Sequence, residues 1–111
     1  MDRAIELYTQ AGEQGYAMAY NNLGMLLLID ERKDADCAEK AFRAEKAFRA
    51  AIEADPGHVN AHNNLGLLLE NERNDVDGAE KAYRAAIKAD PRFATAYYNL
   101  GILLELSLIH I

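Results

Sequence analysis

Histidine, cysteine and the carboxylates are the residues that hold metals and move protons, and here their spacing argues against both. His58 and His62 stand four apart, which puts their rings on one face of a helix. Two imidazoles without a third ligand fall short of a zinc site; they read as a histidine at a helix start beside one that packs. The stretch NERNDVDG (71–78) has the alternating Asn and Asp of a calcium loop. Arg73 and Arg84, however, occupy places where such a loop needs carboxylates, so a solvated turn is the better reading. The single cysteine, Cys37, stands where the parallel segment has Gly78. A helix N-terminus can activate a thiol, but no histidine lies nearby to serve as its base. No Gly-rich phosphate loop or nucleophile elbow occurs. The expectation is a chain with no catalytic residue, no metal and no cofactor.

One polar pattern does recur. Asn22, Asn64 and Asn99 each precede a Leu-Gly pair, and Asn21, Asn63 and Tyr98 precede them in turn. A side-chain amide both donates and accepts, so a row of amides suits bonding to a peptide backbone. That backbone could belong to a ligand or to a neighbouring helix.

The elements that hold this pattern repeat. NNLG occurs at 21–24 and 63–66, and YNLG at 98–101; the glycines are 42 and then 35 residues apart. ERKDADCAEKAFR (31–43) lines up with ERNDVDGAEKAYR (72–84), and AAIEADP (50–56) with AAIKADP (85–91). Each unit reads as two helices. In 79–90, Ala79, Ala82, Tyr83, Ala86 and Ile87 recur at helical spacing, with Glu80, Lys81, Arg84 and Lys88 opposite. Asp77 is placed to cap this helix, and Asp90-Pro91 ends it. The preceding helix turns Ala61, Leu65, Leu68 and Leu69 inward, and its Gly66 permits close approach of a neighbour. Short polar links favour antiparallel neighbours. Six helices are expected, near 2–12, 16–29, 35–54, 58–71, 76–89 and 93–105.

Most of the excess in the longer spacing is AEKAFRAEKAFR (38–49), one hexapeptide written twice. It contains good helix formers and no Gly or Pro, so it predicts one long helix over 35–54. Six residues turn a helix by about 600°, a net rotation of about −120°. The stripe Ala38-Ala41-Phe42 is therefore expected to leave the face made by Ala47, Phe48, Ala51 and Ile52, with Phe42 partly exposed. The duplication reads as a slip of 18 nucleotides rather than a spacer built into the array.

Here the chain resembles the tetratricopeptide repeat family, whose pattern of about 34 residues is met in the middle unit by His62, Leu65-Gly66, Leu69, Ala79, Tyr83, Ala86 and Pro91. His62 departs from the usual aromatic, which Tyr20 and Tyr97 keep. The segment 4–24, with AGEQG in place of a proline link, is similar to the related Sel1-like repeat. The resemblance implies an all-α fold, an α-solenoid of antiparallel helix pairs over residues 1–105. The chain then begins on the second helix of one repeat and stops after the first helix of another. That predicts a window from a longer array with uncapped, self-associating ends. The last residues, LSLIHI (106–111), back-translate to CTGTCTCTTATACACATC, which resembles the end of a transposase-type sequencing adapter, and are read as a scar.

The resemblance also implies function. First helices line the concave surface of such stacks. In similar superhelices, such as the repeat region of O-linked N-acetylglucosamine transferases, an Asn at this place forms a ladder along an extended peptide. Carried over, Asn22, Asn64 and Asn99 form the ladder; Met18, Met25, Leu67 and Ile102 floor the groove; Asn60, Asn63 and Tyr98 line its sides, with Asn21 equivalent to Asn63. The expected role is a non-enzymatic scaffold for protein–protein interaction, with a protein or peptide ligand. The rival is the targeting arm of a larger enzyme, such as a glycosyltransferase or a signalling protein. Charge agrees with a protein ligand: the net charge is −6, and each Lys or Arg lies near an Asp or Glu, which argues against nucleic acid. The apolar run Met25 to Ile29 is far short of the ~20 residues of a membrane span. One cysteine excludes an intrachain disulfide and suits a reducing, cytoplasmic setting.

Overall fold

A computed structural model describes residues 2–29 and 37–109, with side chains for 3–29 and 37–106. Six helices follow one another: α1 (Asp2–Glu13), α2 (Ala17–Leu28), α3 (Cys37–Ala54), α4 (Val59–Asn71), α5 (Val76–Ala89) and α6 (Ala94–Ile109). They match the expected helices closely; the expected start of the third, at 35, lies outside the described residues. α6 runs on past Glu105 to Ile109, so no break in the helix marks the boundary at 105/106.

The turns follow from local chemistry. Asp55 and Asp90 each accept, through Oδ1, the N–H two residues on, at 3.1 and 3.0 Å across Pro56 and Pro91. These Asx turns stop one helix and aim the next. His58 caps α4, its Nδ1 accepting the Ala61 N–H at 3.2 Å. α5 is capped by Asp75, whose Oδ1 accepts the Gly78 N–H at 2.9 Å, while the expected cap, Asp77, sits in the first turn. Asp75 wins because Asn74 takes a left-handed turn, at φ 53°, that places Asp75 just before the helix. In the first unit, Gly15 at φ 93° makes the turn that proline makes elsewhere; glycine adopts that conformation without steric cost.

The helices form two layers in a slab of 43 × 32 × 17 Å. α2, α4 and α6 lie side by side, and α1, α3 and α5 form the other layer. Cα atoms of α2 and α4, and of α4 and α6, come within 8 Å of one another, whereas none of α3 and α5 do. The stack therefore bends there with the α2–α4–α6 layer inside. Between the layers, Ala44, Phe48 and Ala51 of α3 and Ala79, Tyr83 and Ala86 of α5 are fully buried. Each aromatic lies on a glycine of its partner helix. A Cβ built on Gly24 would stand 2.5 Å from the Phe48 ring, and one on Gly66 would stand 2.6 Å from that of Tyr83. Absence of those methyls lets the pairs close; overpacking such a contact costs typically ~1–3 kcal/mol.

The doubled hexapeptide is continuous helix within α3. Its second copy holds the core register, and Phe42 of the first is 53% exposed with the Lys46 ammonium 5.5 Å from its ring centre. The expected departure of the whole first stripe does not occur, because Ala41 is buried. Ala41 precedes Phe48 by seven residues, and seven residues return a helix to within about 20° of the same face.

Candidate functional site

The recurring asparagines lie along the inner layer. They form pairs that cross from one unit to the next. Asn64 Nδ2 donates to Asn21 Oδ1 at 2.9 Å, and Asn99 Nδ2 donates to Asn63 Oδ1 at 3.1 Å. The first asparagine of each NN pair accepts, and the asparagine just before Leu-Gly in the following unit donates. The 42-residue spacing does not disturb this: the Asn21–Asn64 pair spans the unit with the doubled hexapeptide and is as short as the other.

The pairing revises the groove's sides. Asn21 and Asn63 are 7% and 5% exposed, so they are covered, not displayed. A buried amide needs partners, and the neighbouring unit supplies them. Asn22, Asn64 and Asn99 are half-buried. Each pair engages one of the donor amide's two N–H groups, and Asn22 makes no side-chain hydrogen bond among the described residues. Met18 and Met25 are exposed on α2, as is Asn60 on α4, while Leu67 and Ile102 are half-buried. Tyr98 takes the place held by Asn21 and Asn63, and is 70% exposed. The surface is thus a row of half-buried amides between exposed methionines at one end and a tyrosine at the other.

Elsewhere the chemistry is structural. Tyr83 donates its hydroxyl to Glu70 Oε1 at 2.8 Å. Burial, and then the hydrogen bond and charge of Glu70, hold its ionisation well above the ordinary tyrosine range. His62 Nε2 lies 2.7 Å from the Pro56 carbonyl, and His58 is occupied as a cap. Cys37 is exposed at the first turn of α3. Among the described residues no three His, Cys, Asp or Glu side chains could share a metal ion. No helix among them is long and apolar enough to cross a membrane.

Two open clefts, of about 330 and 290 Å³, lie away from the asparagines. One is lined by Tyr20, Leu23, Lys46 and Ala47, the other by His62, Leu65, Lys81 and Ala82. These are equivalent positions of successive units. The clefts are therefore crevices that the repeat makes between its helices, walled by lysine stems, and not a dedicated pocket.

Helix pairs stacked in two layers, each gripping the next through the same positions, define an α-solenoid. Within that class the repeat is specific: residues 38–80 match the family model for the tetratricopeptide repeat, and residues 68–106 match that for the TPR repeat. The chain thus carries tetratricopeptide repeats, units that generally mediate protein–protein interaction. No curated protein is significantly similar to it.

Proposed function

We propose that this chain is a non-enzymatic interaction scaffold that holds an extended peptide against the inner layer, with Asn22, Asn64 and Asn99 bonding the peptide backbone. The observation that carries this reading is the alignment of the amides. Their bonds to Asn21 and Asn63 fix Asn64 and Asn99 in orientation, and each keeps a second N–H and a carbonyl for a ligand. An amide already held in place loses less entropy on binding. Leu67 and Ile102 supply an apolar floor, and Met18, Met25 and Tyr98 supply adaptable contacts at the ends. Backbone bonding makes sequence preference modest. In this reading the first unit, 4–24, is a Sel1-like variant of the repeat, with the same asparagine in place.

The test is titration of the chain with peptides selected from a random-sequence library. Asn22→Ala is the cleanest variant, because among the described residues Asn22 has no side-chain hydrogen-bond partner to lose. Each lost neutral amide bond costs about 0.5–1.5 kcal/mol, so Asn22→Ala weakens binding a few-fold and Asn22→Ala/Asn64→Ala weakens it more, with helical content retained. Unchanged affinity in the double variant contradicts the proposal.

A further inference from the structure

Charge is divided between the two layers of the stack. α2 has no Asp, Glu, Lys or Arg among its 12 residues. α4 has one, Glu70, and α6 has one, Glu105. α3 carries seven and α5 carries five. Glu70 accepts the Tyr83 hydroxyl at 2.8 Å, so it turns toward α5 and not along the groove. Glu105 stands at the equivalent place, four after the glycine. Within the described helices every Lys and Arg lies on α1, α3 or α5. The imidazole of α4, His62, lies 2.7 Å from the Pro56 carbonyl and lines a cleft with Lys81 of α5.

Burial alone does not account for this division. Met18, Met25, Asn60 and Tyr98 are exposed on the inner helices. Exposed positions commonly carry Lys, Glu or Arg, as Lys46, Arg49, Lys81 and Arg84 do on the outer layer. The inner surface thus keeps even its water-facing positions uncharged. It offers a ligand adaptable apolar contact through methionine and hydrogen bonds through its amides, but no counter-ion. A charge pressed against such a wall loses hydration and gains no partner.

We infer that the segment held in the groove is uncharged where it meets the amides, built from polar and apolar neutral residues, and that its affinity is insensitive to salt. The inference rests on the peptide-scaffold reading and narrows the class of peptide. Packed helices lie roughly 8–10 Å apart, and an extended chain advances roughly 3.1–3.4 Å per residue. About three ligand residues therefore pass each unit, and about seven reach from Asn22 to Asn99. The net charge of −6 taken alone would favour a basic ligand; the division of charge between the layers removes that preference at the groove.

Selection of a random-sequence peptide library on the chain tests this, followed by titration of a selected peptide. Selected peptides should lack Asp, Glu, Lys and Arg over about seven residues. Their affinity should hold within about twofold from low salt to about 1 M, where the screening length is about 3 Å. Placing Lys or Glu at the centre of the peptide should each weaken binding roughly tenfold, and Gln there should be tolerated. Peptides that lose affinity in Asn22→Ala, yet carry charges of one sign and weaken steeply with salt, would overturn the inference and leave the scaffold reading standing. Tolerance of Lys or Glu at the centre would do the same. Peptides whose affinity is untouched in Asn22→Ala/Asn64→Ala would overturn both.

Discussion

Asn64 of α4 donates its amide to Asn21 of α2 at 2.9 Å, and the accepting side chain is buried. This bond sets one unit against the next at the level of the candidate groove, so it is first a structural contact. A double-mutant cycle on Asn21 and Asn64 should give a coupling of about 0.5–1.5 kcal/mol in denaturant unfolding. Purely additive losses would mean the bond contributes nothing to stacking.

Two glycines at equivalent positions should respond with opposite sign. Alanine favours a helix over glycine by about 0.8–1.0 kcal/mol. At Gly101 nothing opposes that gain, so Gly101→Ala should raise the melting temperature of the dilute chain. At Gly66 the new methyl meets the Tyr83 ring at 2.6 Å, and the ring is fully buried. Overpacking of about 1–3 kcal/mol then exceeds the gain, and Gly66→Ala should melt lower. Equal shifts in thermal denaturation would contradict the packing described.

Tyr83 ties stability to alkaline pH. Its folded pKa is raised above the unfolded value of 10.0 by burial, with Glu70 adding to the shift. The stabilisation is therefore complete below pH 10 and is lost progressively as pH rises above it, because the unfolded chain ionises first. Tyr83→Phe should remove this contribution to the alkaline decline. At neutral pH it should cost roughly 1.5 kcal/mol, the lower end for a hydrogen bond to a charged group. Urea unfolding from neutral to strongly alkaline pH checks both; parallel pH profiles for wild type and variant would contradict the assignment.

The inner layer is not suited to acidic tails. Clamps of that kind need basic side chains on first helices, and here the places hold Asn21, Met25, Asn63, Leu67, Tyr98 and Ile102. An acidic chaperone C-terminal peptide should show no saturable binding in calorimetry; low-micromolar affinity would contradict this.

Much of this was legible in the sequence because the repeat enforces it. The period of NLG and AEKAxR motifs placed six helices, and the missing side chain at Gly66 foretold a close approach. The Asn21–Asn64 and Asn63–Asn99 pairs were not legible, although the doubled NN was visible. A donor in one unit and an acceptor in the previous one are related only through the superhelix, which one-dimensional periodicity does not specify. Burial of Ala41 follows from a spacing other than the six-residue shift: Ala41 stands seven residues before Phe48, which returns it to nearly the same helix face. The Asp75 cap depended on the left-handed turn at Asn74, which residue type permits but does not require.

The central claim is that the half-buried amides of the inner layer meet an extended peptide. Its most direct test follows the side-chain amide resonances of the labelled chain while a library-selected peptide is titrated in. Saturable shifts are expected at Asn22, Asn64 and Asn99, with weaker binding by Asn22→Ala and only small shifts on the outer faces of α3 and α5. Shifts confined to α3 and α5, with affinity unchanged in Asn22→Ala, would contradict it.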